Sequence, residues 1–257
     1  MKKIKKILKK KNKSKIVCLT AYSKNIAEEV DKHADIVLVG DSLGSVLYNY
    51  SSTKKVTLDE MINHSKSVRL GVKKSLMVVD MPYKTYISKN LALKNAKKIM
   101  KQTKCDAVKL EGGKKIINQI QFLIKNKIPV MGHLGLLPQS AKGKFQSKGK
   151  NTKEIKQLRN DAMLLQKNGV FAIVLECVKT QIAKQITNDL KIPTIGIGSS
   201  VHCDGQVLVT DDLIGLNETN IKFVKKFANI KRYINLGLKN FAQAVKNKRY
   251  PTRKYSY

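Results

Sequence analysis

Short runs of β-branched and apolar residues recur along this chain, and a stretch long enough for an amphipathic helix follows most of them. The runs predict strands at residues 16–21, 35–40, 76–80, 107–111, 129–133, 171–176, 194–198 and 206–211. Their continuous apolar character is typical of strands that are covered on both faces, as in parallel sheets. This repeated alternation limits the chain to the α/β class.

The segments between these runs carry helix signals. Thr57-Leu58-Asp59-Glu60 is a capping box that starts a helix with one apolar stripe, and Gly71 ends it. Further helices are predicted at residues 92–102, 114–125, 153–167, 180–188 and 231–246. Eight strands that alternate with helices in 257 residues predict a (β/α)8 TIM barrel, with an open doubly wound sheet as the alternative.

No long Gly/Ser-rich linker divides the chain, which favours a single barrel domain over residues 16–257. A basic N-terminal arm, residues 1–15, precedes that domain. We expect the arm and the Lys-, Gly- and Ser-rich segment 142–153 to be mobile loops.

The formal net charge is +33, from 51 basic and 18 acidic residues. Such an excess would fit a nucleic-acid or anionic-membrane partner. However, the basic residues are nearly all lysines, which are spread through almost every segment, whereas arginine is the better residue for bidentate phosphate and base contacts. We therefore expect a solvated basic surface and no specific nucleic-acid partner.

The four cysteines lie far apart and form no C-x-x-C pair, which indicates reduced thiols rather than a zinc ribbon or a disulfide framework. The lysine-rich start is followed by only about seven apolar residues, too few for a signal peptide or a membrane span. We expect a cytoplasmic protein without a membrane partner.

Acidic residues are scarce, yet five of them stand at or just past predicted strand ends: Asp41, Asp80, Glu111, Glu176 and Asp211. Active sites of (β/α)8 barrels lie at the carboxyl ends of the strands. Two or three carboxylates, together with waters and a chelating substrate, are the ligands that Mg²⁺ prefers. One such acid alone would be read as a helix N-cap. Five together predict a metal site at this end of the barrel.

The stretch VGDSLG, residues 39–44, has two interpretations. It contains G-x-S-x-G, the spacing of a hydrolase nucleophile elbow around Ser42, and it also places Asp41 at a strand end. A hydrolase triad needs an acid and then a late histidine, but His64, His133 and His202 stand in no obvious partner motif. Asp41 is therefore the better candidate, with Ser42 as a neighbouring hydrogen-bonding group.

Two further residues are candidates for substrate contact. Lys109 lies two residues before Glu111, on the same strand face, and burial of an unpaired ammonium is costly. We expect it to meet a substrate carboxylate. His133 is either a core histidine or a substrate contact, and the sequence leaves both open.

The chain resembles the ketopantoate hydroxymethyltransferase family from about residue 16 to residue 251. The resemblance rests on ordered blocks: LTAYS, LVGDSLG, VDMPY, VKLEGG, GHLGLLPQS, VLEC, IPTIGIG and DGQVLV. It implies a (β/α)8 barrel, usually assembled as a homodecamer. It also implies transfer of a one-carbon unit from the co-substrate 5,10-methylenetetrahydrofolate to 3-methyl-2-oxobutanoate, giving 2-dehydropantoate.

The resemblance also implies roles for individual residues. It implies one Mg²⁺ per subunit, held by Asp41, Asp80 and Glu111. The keto acid would be contacted by Asp41, Ser42, Asp80 and Lys109. Glu176 would be the general base, and His133 would be a histidine that lines the site. The segment 141–150 and the Gly198-Ser199-Ser200 turn depart from the family pattern near the expected folate contacts. Two alternatives stay open: a Mg²⁺-dependent barrel lyase of the phosphoenolpyruvate/isocitrate lyase type, and a basic nucleic-acid-binding protein.

Overall fold

The computed structural model describes residues 1–140 and 146–257. Within them, eight parallel strands pair in chain order and close into a barrel in which the last strand pairs with the first. The strands are β1 (Ile16–Thr20), β2 (Ile36–Val39), β3 (Leu76–Asp80), β4 (Ala107–Glu111), β5 (Val130–Gly135), β6 (Ala172–Glu176), β7 (Thr194–Ile197) and β8 (Gly205–Leu208). The predicted TIM barrel is confirmed, and the doubly wound sheet was the wrong alternative.

The described helices are α1 (Lys2–Lys9), α2 (Lys24–His33), α3 (Leu43–Tyr48), α4 (Leu58–Gly71), α5 (Lys89–Thr103), α6 (Ile117–Lys125), α7 (Thr152–Lys167), α8 (Thr180–Asp189), α9 (Thr210–Leu213) and α10 (Ile230–Lys246). Short 3₁₀ turns lie at Thr53–Lys55, Lys114–Ile116 and Arg253–Tyr255. The predicted capping box starts α4: the amide of Glu60 donates to Thr57 Oγ1 at 3.2 Å, and the amide of Thr57 donates to Glu60 Oε2 at 2.6 Å.

The strands separate two hydrophobic clusters because their side chains alternate between the two faces of the sheet. Residues such as Val37, Val79 and Val108 point outward into the large cluster beneath the helices. The strand residues between them point inward and form a smaller cluster that fills the barrel: Ile16, Cys18, Ile36, Leu38, Leu76, Val78, Ala107, Met131, Ala172, Val174, Ile195 and Val207. The barrel is therefore a packed core and no pore.

The basic N-terminal arm does not form the mobile loop that we expected. Residues 2–9 are helical, and Ile4 and Ile7 are buried in the same cluster as the first inward side chains of the strands. Helical spacing puts these two apolar residues on one face, while Lys5 and Lys6 remain exposed. α1 thus packs against the end of the barrel where the strands begin.

The chain divides into two compact units, residues 1–209 and 210–257. The first contains the barrel. The second contains α9 and α10, and the side chains of Tyr233, Leu236, Leu238 and Phe241 on α10 are each more than half exposed. The expected strand at residues 206–211 ends at Leu208, so that prediction was wrong at its carboxyl end.

The expected loop at residues 142–153 lies partly outside the described residues. Within its described part, Lys148 forms an isolated parallel bridge with Val178, and α7 begins at Thr152. All four cysteines belong to the described ranges, where they are buried free thiols. No helix in the described part of the chain has the length and apolarity needed to cross a membrane.

Candidate active site

The carboxyl ends of β3 to β6 bring most of the predicted site residues together. In the register of the barrel, Asp80 is opposite Lys109, and Glu111 is opposite His133. Glu176 is opposite Gly135 on the next strand pair. The side chains of these polar residues continue the inward-facing rows of the barrel core, and all are buried. Their positions near predicted strand ends in the sequence therefore correctly predicted that these residues lie together at this end of the barrel.

Asp41 joins this group from the end of β2. Its backbone amide donates to Asp80 Oδ2 at 3.1 Å. The same Asp41 carboxylate accepts a 2.8 Å hydrogen bond through Oδ2 from the side-chain amide of Gln139, and the backbone amide of Gln139 donates to Glu111 Oε2 at 3.0 Å. Each of the three carboxylates thus accepts a hydrogen bond through one of its two oxygen atoms.

The remaining oxygen atoms show what the cluster can bind. Oδ1 of Asp80 and Oε1 of Glu111 are buried and have no well-aligned hydrogen-bond donor; their polar neighbours are Lys109 Nζ at 3.2 Å and His133 Nδ1 at 3.5 Å. No group of three or more His, Cys, Asp or Glu side chains in the described ranges forms a metal site by itself. Mg²⁺ usually takes one or two carboxylates and completes its octahedron with waters and substrate oxygens. The orphaned oxygens of Asp80 and Glu111, beside Asp41, fit that type of ligand set.

The charge balance of the cluster also favours a cation. Burial raises the pKa of Asp41 to about 8, and the neighbouring carboxylates of Asp80 and Glu111 add to the rise. Burial likewise raises the pKa of Asp80. One buried ammonium, Lys109 Nζ, lies 3.2 Å from Asp80 Oδ1. Burial disfavours its charge, but the three carboxylates outweigh burial and raise its pKa. The carboxylates together attract more positive charge than one lysine provides.

His133 lies between two of the acids. Its Nε2 atom is 3.1 Å from Glu176 Oε2, and its Nδ1 atom is 3.5 Å from Glu111 Oε1 and 3.2 Å from Lys109 Nζ. Burial and the Lys109 ammonium disfavour a charged imidazole. Hydrogen bonding to the two glutamates outweighs both effects and raises the pKa of this histidine to about 9. The structure thus places His133 in the site.

The backbone next to Glu176 has an unusual conformation. Cys177, directly after it, has a φ of 53°, in the left-handed region that non-glycine residues seldom adopt. Gly135 on the neighbouring strand has a φ of 96°, and a Cβ atom there would lie 2.1 Å from the carbonyl oxygen of Glu176. That carbonyl accepts a 2.8 Å hydrogen bond from the amide of Leu136. A glycine is therefore required at position 135, where the chain leaves β5 and passes the end of β6.

Ser42 has no contact that would make it a nucleophile. Its hydroxyl shares a 2.8 Å hydrogen bond with Tyr22 OH. His64 contacts the carbonyl of Tyr22 through Nδ1 at 2.8 Å and Tyr48 OH through Nε2 at 2.7 Å. No histidine in the described part of the chain is hydrogen-bonded to Ser42, and its own backbone is helical (φ −55°, ψ −18°). The geometry supports Asp41 over the elbow interpretation.

Two site residues carried no signal that strand-end reasoning could use. Gln139 lies in the loop after β5 and is 3% exposed, and Tyr86, in the loop after β3, donates to Gln139 Oε1 at 2.5 Å. In the sequence, the segment that contains Gln139 was indicated only by the family-like block GHLGLLPQS. The fifth acid, Asp211, belongs to the second compact unit, in the first turn of α9, where acidic residues are common. Its membership of a metal site stays a prediction.

Comparisons with known proteins identify relatives of this chain. The sequence model of the family described as ketopantoate hydroxymethyltransferase matches residues 1–253. A 3-methyl-2-oxobutanoate hydroxymethyltransferase of Pelagibacter ubique (strain HTCC1062) is 64% identical over 256 residues, which cover 100% of this chain and 99% of that protein. The same enzyme of Anaplasma marginale (strain St. Maries) is 44% identical over 250 residues, covering 96% and 90%.

Solved structures match at the level of the fold. A crystal structure of 2,3-dimethylmalate lyase, a member of the PEP mutase/isocitrate lyase superfamily, superposes with a TM-score of 0.64 at 10% identity and covers 99% of this chain and 88% of that one. The fold is thus shared with lyases, whereas the detailed sequence similarity is to hydroxymethyltransferases.

Proposed function

The chain belongs to the ketopantoate hydroxymethyltransferase family, a family of transferases in pantothenate biosynthesis, and from this premise we propose its reaction. It transfers a hydroxymethyl group to C3 of 3-methyl-2-oxobutanoate. The one-carbon unit comes from 5,10-methylenetetrahydrofolate and the hydroxyl oxygen from water. The products are 2-dehydropantoate and tetrahydrofolate. The observation that carries the proposal is the buried carboxylate cluster with a separate glutamate, Glu176, beyond His133.

Asp41, Asp80 and Glu111 are the residues that would hold Mg²⁺. Two of them present buried oxygen atoms without a hydrogen-bond partner, and all three lie at the carboxyl ends of strands. When bound there, Mg²⁺ would supply Lewis-acid stabilisation of the negative charge that develops on the keto oxygen of the substrate.

Lys109 and Ser42 orient the substrate in this proposal. The ammonium of Lys109 is fixed beside Asp80 at 3.2 Å and has no solvent around it, so it attracts the carboxylate of the keto acid strongly. Ser42 presents a hydroxyl at the amino end of α3, and its hydrogen bond with Tyr22 limits the rotation of that hydroxyl. The two contacts set the face of C3 that is presented to the base.

Glu176 is the general base. It lies on β6, away from the proposed metal ligands on β3, on β4 and just after β2, so it is available to accept the C3 proton. His133 Nε2 lies 3.1 Å from its Oε2 atom, within ion-pair distance. After deprotonation, C3 attacks the methylene carbon of the folate. The substrate needs a base in this position because its C3 proton is only weakly acidic.

Turnover tests the proposal directly. The native chain should form 2-dehydropantoate from 3-methyl-2-oxobutanoate and methylenetetrahydrofolate, and should lose this activity when Mg²⁺ is removed by EDTA. Restoration by added Mg²⁺ is the control. Product formation without folate, or no dependence on a divalent cation, would contradict the proposal.

The shared fold makes a barrel lyase the second candidate. Such an enzyme would cleave or form a C–C bond in a 2-oxo or 2-hydroxy acid without a folate donor. Folate-independent cleavage of such acids, together with no formation of 2-dehydropantoate, would favour the lyase.

The chain is also proposed to act as a homo-oligomer, a decamer by family resemblance, in the cytoplasm. The exposed apolar side chains of α10, among them Tyr233 and Phe241, support an assembly because they would otherwise stay in water. Light scattering coupled to size exclusion measures the mass, and a monomer of 28.9 kDa would contradict this proposal.

A further inference from the structure

We propose that Gln139 is a positioning residue that holds the carboxylates of Asp41 and Glu111 in the orientation that metal binding requires, and that Tyr86 fixes the orientation of the Gln139 side chain. This inference rests on the proposed function, because it assigns Asp41 and Glu111 to the metal. Neither Gln139 nor Tyr86 needs to contact the metal or the substrate.

Gln139 contacts two of the three acids from one position in the chain. Its side-chain Nε2 donates to Asp41 Oδ2 at 2.8 Å, and its backbone amide donates to Glu111 Oε2 at 3.0 Å. These partners are 98 and 28 residues away in the sequence. A single loop residue therefore links the ends of β2 and β4.

The orientation of the amide is determined by its partners. Nε2 faces two acceptors, because it also donates to the carbonyl of Met81 at 3.0 Å. Oε1 accepts the hydroxyl of Tyr86 at 2.5 Å. A rotation of the amide by 180° would set Oε1 against a carboxylate and a carbonyl, and would leave the tyrosine hydroxyl facing the NH₂ group. Only one orientation satisfies every partner.

Burial makes this arrangement rigid. Gln139 and Tyr86 are 3% and 8% exposed, so water does not replace a lost hydrogen bond easily. The same Tyr86 hydroxyl that donates to Gln139 also lies 3.5 Å from the carbonyl oxygen of Glu111. When one oxygen of a carboxylate accepts a hydrogen bond, its other oxygen points in a defined direction. A cation with strict octahedral geometry requires ligands that are oriented in this way.

Binding of Mn²⁺, used as a paramagnetic probe for Mg²⁺, tests the role without relying on turnover. Free Mn²⁺ is measured by electron paramagnetic resonance in the presence and absence of 3-methyl-2-oxobutanoate. Gln139→Met keeps the length and the backbone amide but removes the side-chain donor. We expect its Kd for Mn²⁺ to rise by about 10- to 100-fold, the usual effect of a lost outer hydrogen bond at a metal site. Tyr86→Phe should raise it less, and in the same direction.

Two matched variants control for general effects of the substitutions. Gln121→Met removes a glutamine amide that donates to Asn168 Oδ1 at 2.6 Å on the surface. Tyr50→Phe removes a tyrosine hydroxyl that donates to Glu60 Oε1 at 2.8 Å. Both should bind Mn²⁺ with the native Kd. Circular dichroism and thermal unfolding of all variants report on the fold.

The outcomes separate this inference from the proposed function. Weaker Mn²⁺ binding by folded Gln139→Met and Tyr86→Phe, with unchanged controls, supports the positioning role. Native affinity in Gln139→Met would overturn it while leaving the metal site intact. If Gln139→Met does not fold, Tyr86→Phe decides, and native affinity there overturns the role. No Mn²⁺ binding by the native chain would overturn both the metal site and the positioning role.

Discussion

Nε2 of His133 lies 3.1 Å from Oε2 of Glu176, and the two residues lie on the neighbouring strands β5 and β6. This contact places the imidazole of His133 beside the carboxylate of Glu176 in the barrel mouth. On its other side, His133 faces Glu111 at 3.5 Å, so one imidazole separates the proposed base from the proposed metal ligands. This geometry supports the proposed division of roles between Glu176, at the end of β6, and the acids at or just after the ends of β2, β3 and β4.

Glu176→Gln should abolish proton abstraction and keep metal binding. The amide is nearly isosteric but accepts no proton near neutral pH. Native enzyme with Mg²⁺ and 3-methyl-2-oxobutanoate in D₂O should exchange the C3 hydrogen, and the variant should lose this exchange by on the order of 10²-fold or more. Proton NMR of the keto acid measures both. Undiminished exchange would transfer the role of base to another residue, with His133 as the next candidate.

Asp41→Asn and Asp80→Asn should each weaken metal binding and nearly abolish turnover, because a hard cation loses an anionic ligand. Ser42→Ala should be milder, since its hydroxyl contacts Tyr22 and, among residues 1–140 and 146–257, no base. Isothermal titration with Mg²⁺ and the coupled assay give the two readouts. An inactive Ser42→Ala beside a fully active Asp41→Asn would restore the nucleophile-elbow interpretation.

Asp31 should make the stability of the fold sensitive to acid. Burial opposes its ionisation, but the backbone amides of Lys73, Lys74 and Ser75 donate to its carboxylate at 2.8–3.1 Å and lower its pKa below the usual range. A depressed folded-state pKa adds stability above the unfolded value of about 3.9, and this is lost as the pH falls through the folded-state pKa.

Asp31→Asn should therefore lower the free energy of unfolding at pH 7 by about 1.5–3 kcal/mol, the scale of hydrogen bonds to a charged group. The difference from the native chain should begin to shrink below about pH 4, where the carboxylate of the unfolded chain takes up a proton, and should vanish below the lower folded-state pKa. Urea denaturation at several pH values measures this. Glu29→Gln, on the exposed side of the same helix, is the control and should leave the pH dependence unchanged. A constant difference between native and Asp31→Asn chains across the pH range would contradict the prediction.

Ile7→Ala should destabilise the barrel without changing its chemistry. Ile7 is 3% exposed and packs in the inner cluster at the end of the barrel where strands begin, whereas the site lies where they end. Loss of a buried isoleucine side chain costs about 2–5 kcal/mol. Urea denaturation should show this loss, with kcat and KM unchanged. Lys6→Ala, one residue earlier and exposed, should have little effect on stability. Equal stability of the two variants would show that α1 adds nothing to the core.

The sequence alone was sufficient for the barrel and for most of the proposed site. Eight apolar runs with intervening helices permit few arrangements, since parallel strands need helical crossovers and covered faces. Parallel strands also bring their carboxyl ends to one edge, so the position of Asp80 or Glu111 within its strand already located it. The box at Thr57 and Glu60 could be read locally because its partners are three residues apart.

The basic arm was misjudged because its composition is that of a solvated tail. Ile4 and Ile7 are the only two buried apolar side chains in its helix, too few to show a periodic stripe. What makes them core residues is the open end of the barrel, which exists only once all eight strands have closed. Their burial is a property of the tertiary structure.

The role of Gln139 was decided by tertiary structure alone. It is in a loop, carries no charge, and meets Asp41 across 98 residues of chain. The sequence by itself determined which acids reach the mouth of the barrel, because strand alternation and parallel pairing set their positions. Which oxygen of Asp41 and of Glu111 accepts a hydrogen bond from Gln139 depends on contacts between distant segments, and those form only when the loops fold over the closed barrel.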